Sequence, residues 1–163
     1  MDGFWEKISS YNIFNNLFPG AFFIYFFERA TRVLLSSDDI IKNVVLYYFV
    51  GLVIGRIGSI IFEPILKYIK VIKFAPYNKY LSAYAKDSKI EILQETANMY
   101  RTLLSMSLIL FLSLFVVGFY TGEGYSLSKW VSAFMVFLFV FSYAKQTKYI
   151  VKRVSLISTN PPA

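Results

Sequence analysis

The sequence predicts an all-α polytopic membrane protein with four transmembrane helices and both termini in the cytoplasm. Composition, four apolar stretches and the sign of the charge between them carry that prediction. Hydrophobic residues make up 56% of the 163-residue chain and aromatics 20%, with a mean hydropathy of +0.52. Ordinary soluble domains are about 45–50% apolar. The apolar stretches cover residues 18–35, 44–62, 103–120 and 130–143. A helix crosses a bilayer with roughly 20 mostly apolar residues, so four spans consume about half the chain. Too little is left for a separate globular core. The chain therefore reads as a single membrane domain, 1–163.

The net charge of +7 is distributed unevenly. Lys67, Lys70, Lys73, Lys79, Lys86, Lys89 and Arg101 lie between the second and third stretches, and Lys145, Lys148, Lys152 and Arg153 follow the fourth. The loops 36–43 and 121–129 carry one Lys each, together with Asp38, Asp39 and Glu123. Cytoplasmic loops of membrane proteins concentrate Lys and Arg. The central segment and the basic C-terminal tail, 145–163, are therefore expected on the cytoplasmic side.

Taken in order, residues 1–16 place Phe4, Trp5, Ile8, Tyr11 and Phe14 at roughly helical spacing, the pattern of an interfacial amphipathic segment. Met1 to Lys7 lacks the basic start of a secretory signal, so the first apolar stretch is expected to be a retained span. That span opens at Pro19-Gly20, a tolerated position for proline at a helix start. It contains Glu28, which helical rise puts near mid-bilayer, and Arg29 and Arg32, which can snorkel outward. The second span carries Gly51, Gly55 and Ser59 at a spacing of four, with Gly58 alongside and Arg56 between them. Small residues at that period let helices approach closely, either within the subunit or between subunits. Glu63-Pro64 is expected to end it.

Residues 63–102 are expected to form a cytoplasmic helical hairpin. Its first arm, Ile65 to Phe74, has lysines on one side and Leu66, Ile69 and Ile72 on another, a basic amphipathic continuation of the second span. Ala75-Pro76-Tyr77-Asn78 breaks it. Ser88 followed by Glu91 has the pattern of a capping box. No Pro or Gly then intervenes until Gly118, so one helix of about 45 Å should run from the cytoplasm through the third span. The third span holds only Ser105, Ser107 and Ser113 as polar residues, and the fourth runs from Trp130 to Tyr143 and on through the basic tail. These two are expected to face lipid, and the charged first two to lie inside an assembly.

The chain has no Cys and no His. That excludes disulfides, Cys/His zinc sites and nucleophile–histidine catalysis. No phosphate-cradling loop occurs either. No enzymatic activity, cofactor or metal is expected. The functional signal is instead the intramembrane set Glu28, Arg29, Arg32 and Arg56. Each charge at that depth costs at least about 2.5 kcal/mol, so it should face a partner or water. Either Glu28 pairs with Arg32 or Arg56 inside the bundle, or symmetric copies line a polar pore. A second signal is Lys67, Lys70, Lys73 and Lys79 interleaved with aromatics, suited to anionic lipid or to an oligonucleotide. The polar helix face Glu91, Gln94, Glu95, Asn98 and Arg101 is either a solvated surface or the cytoplasmic mouth of such a pore.

Three strings, Tyr11-Asn12-Ile13-Phe14-Asn15-Asn16-Leu17-Phe18-Pro19-Gly20, Gly55-Arg56-Ile57-Gly58-Ser59 with Glu63-Pro64, and Asn98-Met99-Tyr100-Arg101-Thr102, resemble the membrane effector of Hailong-type bacterial anti-phage defence. The membrane subunit of Kiwa systems is the rival resemblance. The first implies a homotetrameric ion channel of the bacterial inner membrane, controlled by a partner nucleotidyltransferase and its oligonucleotide product. The second implies a non-conducting membrane sensor or anchor that recruits a cytoplasmic nucleic-acid-binding effector.

Overall fold

The computed structural model describes residues 13–122, 124 and 126–159. The interfacial segment expected over residues 1–16 falls almost wholly outside them. The described residues are all-α and form five helices: α1 (Phe18–Thr31), α2 (Ile40–Tyr68), α3 (Tyr77–Tyr84), α4 (Lys89–Thr121) and α5 (Ser126–Thr159). A π-helical turn, Ile13–Leu17, leads into α1, and a second, Gly58–Phe62, lies within α2.

Three of these helices, not four, are long and apolar enough to cross a membrane: α2, α4 and α5. The first apolar stretch falls short because its helix stops at Thr31 after 14 residues, about 21 Å against a hydrocarbon core of about 30 Å. Polar chemistry stops it. Arg32 takes a left-handed conformation (φ 59°) and its N–H bonds the Glu28 carbonyl at 2.8 Å. The Glu28 carboxylate then accepts the N–H groups of Leu35 and Ser36, both at 2.6 Å, and the Ser36 hydroxyl at 2.8 Å. Those bonds turn the chain out of the helix. With three spans in place of four, the inference that both termini share the cytoplasmic side loses its basis.

α2 opens on Asp39, whose carboxylate accepts from the N–H groups of Ile41 and Lys42. It ends six residues short of the expected Phe74. Lys70 is left-handed (φ 61°), and Val71 and Ile72 both donate to the Leu66 carbonyl. That reversal buries Ile72, which is 2% exposed, and an amphipathic helix through the same residues would not. Residues 71–76 run without helix to the short α3, which sequence patterning had not indicated.

α4 is the unbroken helix that the absence of Pro and Gly predicts, ending where Gly122 (φ 70°) closes onto the Gly118 carbonyl. Its start differs from a capping box. Ser88 makes no side-chain cap, and the Asp87 carboxylate accepts the Lys89 N–H at 3.0 Å instead. α4 and α5 pack along most of their lengths as an antiparallel pair. The seam follows a heptad: Ile90, Ala97 and Leu104 on α4 face Tyr143, Ile150, Val154 and Ile157 on α5. Leu66, Ile72 and Ala83 close the same core at its basic end. α4 is also the most enclosed of the three long helices, with 39% of its most apolar window buried against 17% for α2 and 11% for α5. The helix expected to face lipid is therefore the central one. Its polar side chains are satisfied locally, since Thr102, Ser105, Ser107 and Ser113 each donate to the carbonyl four residues earlier. Ile90 is fully buried, so Ile90→Ala should cost about 2–4 kcal/mol through the cavity it leaves. Denaturant titration of the detergent-solubilised protein measures this.

Candidate functional site

The polar chemistry gathers where α1, α2 and α4 meet. Three glycines permit that meeting. A Cβ on Gly20 would strike the Tyr47 carbonyl oxygen, and one on Gly51 would strike the Asn16 carbonyl oxygen. The π-helical turn before α1 is thereby seated directly on the backbone of α2. Gly58 lies equally close to the Ser105 side chain, whereas Gly55 only faces Thr102 at ordinary contact distance. In this chain the glycine groove of α2 is thus occupied by segments of the same subunit.

Below the groove stands a three-residue network. Arg101 Nη1 donates to Glu63 Oε2 at 2.8 Å, and the Tyr143 hydroxyl donates to the same oxygen at 3.0 Å. The pair is partly buried, with 19% and 20% of the Arg101 and Glu63 side chains exposed. Tyr143 is 2% exposed. Glu63, Arg101 and Tyr143 come from α2, α4 and α5, so one carboxylate ties together all three long helices.

Arg101 borders two cavities. One, of about 280 Å³, is lined by Asn15, Asn16, Leu52, Gly55, Arg56, Ser59, Arg101 and Thr102. The other, of about 390 Å³, opens at the basic end between Glu63, Lys67, Phe74, Tyr77, Tyr80, Gln94, Arg101 and their neighbours. In this cleft the Lys67 ammonium lies 4.9 Å from the centre of the Phe74 ring. Burial and the nearby Glu91 charge push the Tyr80 phenol up, and a hydrogen bond with Glu91 does the same for Tyr84. The two rings face each other with centroids 6.0 Å apart. At the same end of the molecule, Arg153 on α5 donates to Asp87 at 2.6 Å and holds that carboxyl below its usual range. Gln146 adds a bond to the Leu93 carbonyl at 3.0 Å.

The expected site residues divide accordingly. Arg56, Ser59, Gly55 and Arg101 come together around the first cavity, and Lys67 joins Arg101 at the second. Glu28, Arg29 and Arg32 lie apart from both. Glu28 makes an ion pair with neither Arg32 nor Arg56 among the described residues, because Leu35 and Ser36 take its oxygens. Arg29 borders a separate cavity with Phe26, Leu110 and Leu127. Lys70, Lys73 and Lys79 are exposed outside the cleft, as is Glu91, while Glu95 and Asn98 are partly buried on α4. Asn98 accepts a hydrogen bond from Gln94.

Glu63, Tyr143, Asn15, Asn16 and Thr102 were not among the expected site residues, whereas Gln94 of the polar helix face does line the second cavity. Tyr143 had a legible signal: it sits on the heptad with Ile150, and a tyrosine in a seam must find a partner for its hydroxyl. Glu63 had none, because its role as a helix terminator before Pro64 accounts for it locally.

No protein-family model, curated protein or solved structure matches this chain. The described residues define an all-α protein with three long hydrophobic helices, compatible with a multi-pass membrane protein.

Proposed function

We propose that this chain is a multi-pass protein of a bacterial inner membrane that assembles as a homo-oligomeric ion channel. Its basic ends, around Lys67 to Lys89 and Lys145 to Arg153, face the cytoplasm by the charge rule. The observation that carries the reading is the shared position of Arg101, which borders both the intramembrane polar cavity and the basic aromatic cleft. An anionic ligand with aromatic rings, such as an oligonucleotide, would meet Lys67 and stack on Tyr77 and Tyr80 in the cleft. It would also compete with Glu63 for Arg101. Freed from that carboxylate, Arg101 would alter the polar cavity above it, and the ligand would gate by binding one arrangement more tightly.

Arg56 supports the assembly. It is exposed, lies within the apolar part of α2 and makes no hydrogen bond or ion pair among the described residues. Several copies around an axis would give such a charge a wet path to line. The resemblance to Hailong-type effectors supplies the biological setting: a tetramer that depolarises the cell during phage infection, under a nucleotidyltransferase partner.

Planar-bilayer recording of the purified full chain tests this, with mixed-sequence short oligonucleotides as the probe. The expected result is a conductance that changes on oligonucleotide addition, with a response that Arg101→Gln shifts to higher concentration. No conductance in either condition would overturn the channel and favour a membrane anchor for a nucleic-acid-binding effector.

A further inference from the structure

We infer that the cavity between the first π-helical turn, α2 and α4 is a binding site for a phosphate group held at the inner boundary of the membrane. The group would belong to an anionic phospholipid or to a free phosphate. This site does not depend on conduction.

Its depth follows from helix geometry. Arg101 lies about 18 Å from the start of α4 and about 30 Å from its end, which places it at one edge of a hydrocarbon core about 30 Å thick. Arg56 lies about 24 Å from the start of α2, and so somewhat deeper. A headgroup phosphate stands at this edge, beside acyl chains that Leu52 and the exposed apolar face of α2 can meet.

The chemistry of the walls is that of an anion site. Two guanidinium groups border the cavity, and one of them is uncompensated. Glu63 is committed to Arg101 and does not line this cavity, while Arg56 has no partner among the described residues. Arg101 itself retains a buried Nε with no hydrogen-bond partner. Guanidinium groups bind phosphate through paired, charge-assisted hydrogen bonds, and a buried N–H without a partner is costly. The remaining polar lining, Asn15, Asn16, Ser59 and Thr102, is neutral and holds no carboxylate that would repel an anion.

Backbone geometry gives an independent indication. Both π-helical turns among the described residues contribute to this one cavity, the first through Asn15 and Asn16 and the second through Ser59. Such turns are locally unfavourable and occur often at functional sites. Here they bring Asn15, Asn16 and Ser59 to the wall of the cavity that the two arginines border.

Thermal unfolding of the full chain in neutral detergent tests the site. The probes are phosphatidylglycerol, phosphatidylcholine with the same acyl chains, and inorganic phosphate. Phosphatidylglycerol or inorganic phosphate should raise the melting temperature saturably, and phosphatidylcholine should do so less. Arg56→Gln should raise the half-saturating concentration at least about tenfold, the loss of a charge-assisted hydrogen bond. Lys42→Gln, exposed at the far end of α2 and lining neither cavity, should leave the response unchanged. A response to phosphatidylglycerol alone assigns the site to lipid, and an equal response to inorganic phosphate assigns it to a soluble anion. If Arg56→Gln does not fold, Arg56→Lys, which keeps the charge but loses the fork, should still weaken the response. The proposal fails if neither probe stabilises the protein, or if the Arg56 variants respond as the parent does.

Discussion

Gly51→Ala is expected to destabilise the protein by about 3 kcal/mol, the upper range for forcing extra volume into a packed site. The added Cβ would collide with the Asn16 carbonyl, a backbone atom that cannot rotate aside. Relief requires the π-helical turn to lift away from α2, and α1 follows it because Gly20 seats the next turn against Tyr47. Gly55→Ala is the matched control. It lies four residues along the same groove, and its Cβ would meet only the Thr102 side chain, at 3.4 Å. Alanine there should change stability by less than about 1 kcal/mol, with helix propensity favouring the substitution. Unfolding of both variants in detergent separates a specific docking contact from a general need for glycine in an apolar helix.

Glu63→Ala should cost about 2 kcal/mol. Removing one partner of a fully buried ion pair costs about 3–5 kcal/mol, and the residual exposure of both side chains reduces the figure here. The substitution leaves Arg101 unpaired and the Tyr143 hydroxyl without its acceptor. Glu63→Leu combined with Arg101→Met should recover much of the loss, because an apolar pair of similar size needs no counter-charge. That double variant should also lose any response to a ligand in the basic cleft. Stability and response would then separate, as they should if the network serves coupling more than folding.

How far the sequence reveals this arrangement depends on the range of the interactions involved. α4 is legible because its continuity is a local property: nothing between Lys89 and Gly118 breaks a helix. The all-α class follows from apolar stretches of helical length, and three of the four lie within long helices. The first stretch misleads because counting apolar residues does not register where a carboxylate can turn the chain. Glu28 reads as a buried charge in need of a cation, but it is a cap, satisfied by two backbone N–H groups and a serine seven and eight residues on. Ile72 misleads in the opposite sense, since its core contact requires the helix to end at Tyr68.

The site was half legible for a related reason. Arg56 stands out as a charge at the wrong depth and Arg101 as part of the polar face below the third apolar stretch, and a single sequence suffices to notice them. Glu63 and Tyr143 become part of the site only when residues 38 and 80 positions apart are brought together. Only the heptad on α5, Tyr143 to Ile150, predicts that Tyr143 faces the seam. No local pattern says that its partner is Glu63.

The claim on which the rest depends is that α2, α4 and α5 cross the bilayer with their basic ends on one side. The chain contains no cysteine, so single cysteines can be introduced without a competing thiol. Membrane-impermeant maleimide applied to intact cells should label Asp38→Cys and Gly124→Cys, and should reach Lys86→Cys and Lys148→Cys only after permeabilisation. Labelling of Asp38→Cys and Lys86→Cys from the same side would contradict the account.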